Sequence, residues 1–212
     1  MTMTLYGRLR RGIMAALAAT LIAGLIPSAA HARKGPPDGV VKAYYAVLVS
    51  TLKEAKTLGF DGRYKRLEPV IAETFNNRFI TAVATGFYWR KFDDTQKKTL
   101  TTLMTRLSTA TYASRFKSYA GEQFTVLGSK TTDRGDTIVE TQIVKRDGEK
   151  VRINYLLRKA GDEWRIIDVH LKGTISELAK WRAEFSSVLR RSGYDGLVKA
   201  IETKIGRLKG GA

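Results

Sequence analysis

The sequence predicts an α+β fold: a helical N-terminal half, a curved antiparallel sheet of about four strands, and further helices packed on it. Three observations carry this. Apolar residues recur at helical spacing as far as Phe116. From Glu122 the apolar residues alternate instead, in short runs. Asp147-Gly148 and Gly161-Asp162 stand between consecutive runs, and such pairs supply the positive backbone angles of tight hairpins.

Taken in order, the chain opens with Arg8, Arg10 and Arg11 and no acid, then an apolar run over 13–26, Pro27, and the small-residue site Ala30-His31-Ala32. That order reads as a secretory signal peptide over residues 1–32, cleaved after Ala32. The apolar run is shorter than the roughly 20 residues a membrane-crossing helix needs. Residues 33–38 read as a flexible leader, and 39–209 as a single domain. Removing 1–32 from the 212 residues leaves 180, enough for one sizeable core; three arginines leave with it, taking the formal charge from +17 to +14.

Val40, Tyr44, Val47, Leu48 and Leu52 share a helical face, and this first helix is expected to stop at Gly59. Asp61 is placed to cap a helix through Arg63, Leu67 and Ile71, and Asn76 or Asn77 one through Phe79, Ile80 and Val83, closed by Gly86. Asp93 caps a long helix through Leu100, Leu103, Met104, Leu107, Tyr112 and Phe116, expected to run to Gly121. The strands follow: Phe124 and Val126, then 138–145, 151–157 and 164–171. Gly173 breaks the last. Ser176 or Thr174 can cap a helix through Leu178, Trp181, Phe185 and Leu189 to Gly193, and Asp195 starts a final basic helix.

So strong a basic charge calls for an anionic partner, and an exported chain meets anionic lipid surfaces sooner than nucleic acid. With no cysteine there is no disulfide framework, thiol nucleophile or thiolate metal site. His170 is the one histidine beyond the signal peptide, which argues against a tight metal site, so no metal or cofactor is expected. Asp168 and His170 lie two apart on a strand and face the same way, the placement of an acid–histidine pair. No nucleophile motif accompanies them, and Asp168 reads better as a structural residue paired with Arg182.

The run Trp164-Arg165-Ile166-Ile167-Asp168-Val169, followed by Gly173, Arg182, Glu184-Phe185, Leu189 and Gly193, resembles the C-terminal signature of the MlaC, or toluene-tolerance Ttg2, family. LGFDGRY at 58–64, Phe75, Gly86 with Trp89, and TYASRFKSYAGEQF at 111–124 resemble its hopanoid-biosynthesis-associated HpnM branch. The resemblance covers about residues 38–208. It implies a fold like that of nuclear transport factor 2. It also implies a non-enzymatic carrier in a Gram-negative periplasm that encloses a hopanoid or phospholipid between helices and sheet. Such a carrier would exchange lipid with inner- and outer-membrane transport proteins and so bear on outer-membrane asymmetry. The alternatives are an enzyme acting on an apolar or lipid substrate in the same cavity, since fold does not fix function, or a docking module that carries nothing.

On this reading the cavity-lining candidates are Tyr44, Leu48, Leu67, Val83, Phe87, Leu103, Leu107 and Tyr112 on the helices, and Phe124, Val126, Val139, Ile153, Tyr155 and Val169 on the sheet. Tyr44, Tyr112 and Tyr155 suit a cavity mouth, where the ring packs on lipid and the hydroxyl meets a headgroup or water. The basic residues Lys42, Lys53, Lys56, Arg63, Lys65 and Arg66, with Lys180, Arg182, Arg190, Arg191, Lys199, Lys204, Arg207 and Lys209, read as a solvated face able to hold the protein at an anionic membrane.

Overall fold

The computed structural model describes residues 34–211. The signal peptide read over 1–32 lies outside them. Among the described residues five helices and a short 3-10 turn pack with one sheet. They are α1 (Pro37–Lys53), α2 (Ala55–Thr74), α3 (Asn77–Thr85), the 3-10 turn Gly86–Lys91, α4 (Asp94–Arg115) and, after the strands, α5 (Glu177–Gly210). The strands are β1 (Gln123–Thr131), β2 (Thr137–Val144), β3 (Lys150–Ala160), β4 (Glu163–Leu171) and β5 (Ile175–Ser176).

The helix starts follow their caps. Asn76 accepts the Phe79 amide at 3.1 Å, and Ser176 the Ala179 amide at 2.9 Å. Asp93 and Gln96 form a reciprocal capping box, which ties off two otherwise unpaired amides. The first helix ends at Lys53, before the expected stop at Gly59, and the last helix does not end at Gly193. Each glycine takes a positive φ inside what continues as α2 or α5, so the chain kinks there instead of ending. The kinks let one long element follow a rounded core.

The sheet is an antiparallel meander in the order β1-β2-β3-β4-β5. The fifth strand, beyond the four expected, is two residues long. Gly148 (φ 86°) and Gly161 (φ 65°) take the positive angles that the β2–β3 and β3–β4 hairpins require. Bulges at Val126/Gly128 in β1 and at Ile167 opposite Leu156/Leu157 add local twist, so the sheet curves around the helices. One row of its inner face runs Val139, Tyr155, Val169 across β2, β3 and β4, and the next runs Thr141, Ile153, Leu171.

Helix α1 lies on β1 and β2, while α5 crosses α3, α4 and β4. The core between them contains Leu48, Leu67, Ile71, Leu100, Met104, Leu107, Val139, Leu157 and Ile166, all with at most 1% of their surface exposed. Burying each such side chain contributes about 1.5–3 kcal/mol. Arg63, read from the sequence as part of a solvated face, is buried in this core. Its Nε donates to the carbonyl of Ala113 and a terminal nitrogen to that of Ala55, both at 2.9 Å, which laces α2 to the end of α4.

Candidate functional site

Helix α4 carries two different stripes. Leu100, Leu103, Met104, Leu107 and Ala110 form its packed face. Ser108, Thr111, Tyr112 and Arg115, spaced three and four apart, form an adjacent stripe that borders unfilled space, although the Tyr112 ring also packs against Tyr44, Phe75 and Phe116. The helix also ends earlier than Gly121: Phe116 already has φ −102° and ψ 69°, and residues 117–122 run irregularly to β1. A cavity of about 190 Å³ opens between this stripe, the inner face of β3 and β4, and the first turn of α5, with Phe75 and Ile80 against it from α2–α3. Eleven of its sixteen lining residues are aliphatic or aromatic, so its interior suits hydrocarbon.

Charge is confined to a few groups. Arg115 in the last turn of α4 and Glu177 in the first turn of α5 approach to 3.7 Å. Each sits at the helix end whose dipole favours its sign. The pair is partly exposed, with Arg115 46% accessible, so it adds little stability and remains available to a polar ligand group.

Asp168 fixes the start of α5. Its Oδ2 accepts from the Ser176 hydroxyl at 2.6 Å and faces His170 Nε2 at 3.0 Å, while its Oδ1 accepts the amides of Leu178 and Val169 at 3.0 and 2.7 Å. Burial pushes its pKa up, but the bonds from His170, Ser176 and the Leu178 amide outweigh it, and the carboxyl is held below its ordinary range. The bond to Asp168 raises the His170 pKa against its own burial. The pairing with Arg182 read from the sequence is therefore replaced by one with His170 and Ser176. The three residues do not form a nucleophilic triad: the serine proton goes to the carboxylate, not to the imidazole, and its oxygen caps α5. Among the described residues no group of three or more histidines, cysteines or carboxylates is placed to hold a metal ion.

Of the candidates read from the sequence, Tyr112, Ile153, Tyr155 and Val169 line this cavity. Tyr44, Leu48, Leu67, Leu103, Leu107 and Val139 do not; they are buried in the packed core, where neighbouring side chains fill the space. The cavity lies further along α4 than those positions implied. Val83 is half-buried on α3, and Phe87 is 62% exposed on the 3-10 turn, with Lys91 Nζ 4.7 Å from its ring centre. Sequence reading missed Phe75, Ile80, Ser108, Thr111, Arg115, Phe116, Ile167, Leu171, Glu177, Leu178 and Trp181 as lining residues. Asp168, singled out for structure alone, also borders the cavity.

Phe124 and Val126 line a second void, an open groove of about 360 Å³ between α1 and β1 that also touches Lys42, Tyr45, Ala46, Val49, Ser50 and Lys53. Aromatic rings stand between the two. Tyr155 and Phe116 on the cavity side meet Tyr45 and Phe124 on the groove side, with ring centres 5.7 Å (Tyr45–Tyr155), 5.2 Å (Tyr45–Phe124) and 6.2 Å (Phe116–Phe124) apart.

A family model described as MlaC protein matches residues 42–203, which include most of α1 and α5, all of α2–α4, the sheet and every residue lining the cavity. The chain belongs to the MlaC family. Its fold is similar to that of a phospholipid-binding protein from Ralstonia solanacearum solved in complex with a phospholipid. The TM-score is 0.70 at 19% identity, over 79% of this chain and 96% of that one. No curated protein matches the chain. In this chain the charged end of α4 and the start of α5 stand beside an apolar space, and no described helix is long and apolar enough to cross a membrane.

Proposed function

We propose that this MlaC-family protein is a non-enzymatic carrier that binds a membrane lipid in the apolar cavity and shuttles it between inner and outer membranes. The observation that carries the reading is an unfilled apolar space in the core, rimmed by Arg115 and Glu177. A core is normally packed as tightly as an organic crystal, so a void of this size costs stability unless something occupies it. An acyl chain exposed to water is unfavourable by about 0.8 kcal/mol per methylene, so a carrier must enclose its cargo. The phospholipid held by the Ralstonia solanacearum relative supports a lipid cargo.

The finer parts of the reading are these. Residues 1–32 direct export to the periplasm and are removed, leaving the domain at 39–209. The cargo is a phospholipid or, if the HpnM-like motifs at 58–64 and 111–124 mark the branch, a hopanoid. Exchange occurs with membrane-bound transport proteins, and the basic surface holds the protein at anionic lipid. The test is mass spectrometry of the protein purified from a periplasm. The expected result is a chain beginning near Arg33 that carries a stoichiometric lipid. A lipid-free protein that turns over a lipid or ester substrate would overturn the carrier reading.

A further inference from the structure

The segment that follows α3 presents side chains that neither the core nor the cavity uses. Gly86, at φ 59°, ends α3 and turns the chain into the 3-10 turn Gly86–Lys91. Tyr88 and Trp89 are half-buried against the core, and the next residue beyond the turn, Phe92, is buried with its ring centre 5.5 Å from that of Tyr194. With the turn so held, Phe87 points outward. It is 62% exposed, more than any other large apolar side chain among the described residues.

A lone exposed ring is ordinary; its company here is not. Lys91 Nζ and the Arg90 guanidinium lie 4.7 and 5.9 Å from the Phe87 ring centre, and the Arg78 guanidinium lies 5.6 Å from that of Trp89. All three cations are exposed, and among the described residues none of them is ion-paired. Arg158 and Lys204, which also lie over rings, are by contrast held by Asp136 and Glu184 at 2.7 Å. The nearest acids in the chain are engaged, Asp93 in capping α4 and Asp94 with Lys97 at 3.6 Å. A cation over an exposed ring is loosely held, so Arg78, Arg90 and Lys91 stay free to meet an anionic surface.

We propose that this turn is where the protein touches a membrane: Phe87 enters the headgroup layer of an anionic bilayer, and Arg78, Arg90 and Lys91 bind its phosphates. A bilayer suits the patch because an aromatic ring settles at the acyl boundary while neighbouring cations stay among the headgroups. A protein partner suits it less: stable interfaces bury roughly 1,000 Å² or more around several apolar side chains, and here one ring protrudes. None of the three cations belongs to the basic face read from the sequence, so the contact is a local one. The inference goes beyond the carrier reading and stands apart from it, since it concerns where the protein rests and not what the cavity holds.

The test is co-sedimentation of the protein purified from a periplasm with sucrose-loaded vesicles of phosphatidylcholine, alone or mixed with phosphatidylglycerol. The expected result is binding to the mixed vesicles only, weakened about tenfold by Phe87→Ser and about twentyfold by Arg90→Gln with Lys91→Gln. These side chains are exposed, so melting temperatures are expected to stay within about 2 °C of the parent. Lys53→Gln with Lys56→Gln removes the same charge from exposed positions at the junction of α1 and α2, and is expected to cost less than about threefold because charges away from the contact are screened. No loss in Phe87→Ser, or an equal loss in the Lys53 and Lys56 variant, would overturn the local contact. If the unaltered protein ignores bare vesicles but sediments, through Phe87, with membranes that carry their proteins, the turn binds a protein and the bilayer is ruled out; sedimentation with neither overturns the inference outright. Lipid in the mass spectrum of the purified protein tests the carrier reading separately.

Discussion

Val139 and Val169 lie in one row of the inner sheet face, on either side of Tyr155. Val139 has no exposed surface and is packed in core; Val169, 8% exposed, borders the cavity. Replacing each by Trp therefore separates filled from unfilled space in a single experiment. Trp adds about seven heavy atoms to Val, each taking less than the roughly 30 Å³ share of a liquid water, so the added bulk is at most about the size of the 190 Å³ cavity, which can take it. Val139→Trp has nowhere to put it and is expected to lose about 1–3 kcal/mol, or several degrees in melting temperature for a domain of this size. Val169→Trp is expected to melt within about 2 °C of the delipidated parent and to retain no lipid in its mass spectrum. If both variants lose stability equally, or if Val169→Trp folds and still carries lipid, the cavity does not take cargo at this wall.

Other variants probe the frame that shapes the site. Tyr44→Phe removes a buried hydroxyl that faces the Tyr112 hydroxyl without a hydrogen bond of normal geometry, so thermal unfolding is expected to show a neutral change or a gain of up to about 1 kcal/mol. Arg63→Met leaves the carbonyls of Ala113 and Ala55 unpaired in the core and is expected to cost about 2–3 kcal/mol by urea titration; a loss under 0.5 kcal/mol would refute the lacing role. The Asp168–His170 pair gives a pH signature. The His170 contribution, from a raised pKa, is complete below about pH 6.5 and lost as pH rises through that raised value. The Asp168 contribution, from a lowered pKa, is present above about pH 4 and lost as pH falls through that lowered value. The stability difference between parent and His170→Ala, about 1 kcal/mol or less, is thus expected near pH 6 and to shrink by pH 9.

The parts of this fold that are governed by neighbouring residues were legible in the sequence. Asn76, Asp93 and Ser176 announce helix starts because a cap acts on amides two or three residues away, and Gly148 and Gly161 announce hairpins because the turn itself needs their positive φ. Strand β5 was not legible, since two residues cannot show an alternation; its pairing exists because Asp168 holds Ser176 against β4. Arg63 was misread for a related reason: its partners are backbone carbonyls, which carry no mark in a sequence.

The site divides along the same line. Alternation put Ile153, Tyr155 and Val169 on one sheet face, and the cavity's sheet wall follows from that. The helical wall was displaced because the apolar positions of α4 were taken for the cavity, whereas a uniformly apolar stripe is what finds apolar partners and fills. A void persists where the facing stripe is too small or too polar to fill it, and on α4 that stripe is Ser108, Thr111, Tyr112 and Arg115. Ser108 and Thr111 look like solvent-facing residues in the sequence; here they face the inner sheet across empty space. Asp168 turns that space into a site. By fixing the first turn of α5 through Ser176 and the Leu178 amide, it sets Glu177 opposite Arg115 and aims Leu178 and Trp181 inward. A carboxylate with no catalytic partner thereby positions both the charged rim and part of the apolar wall.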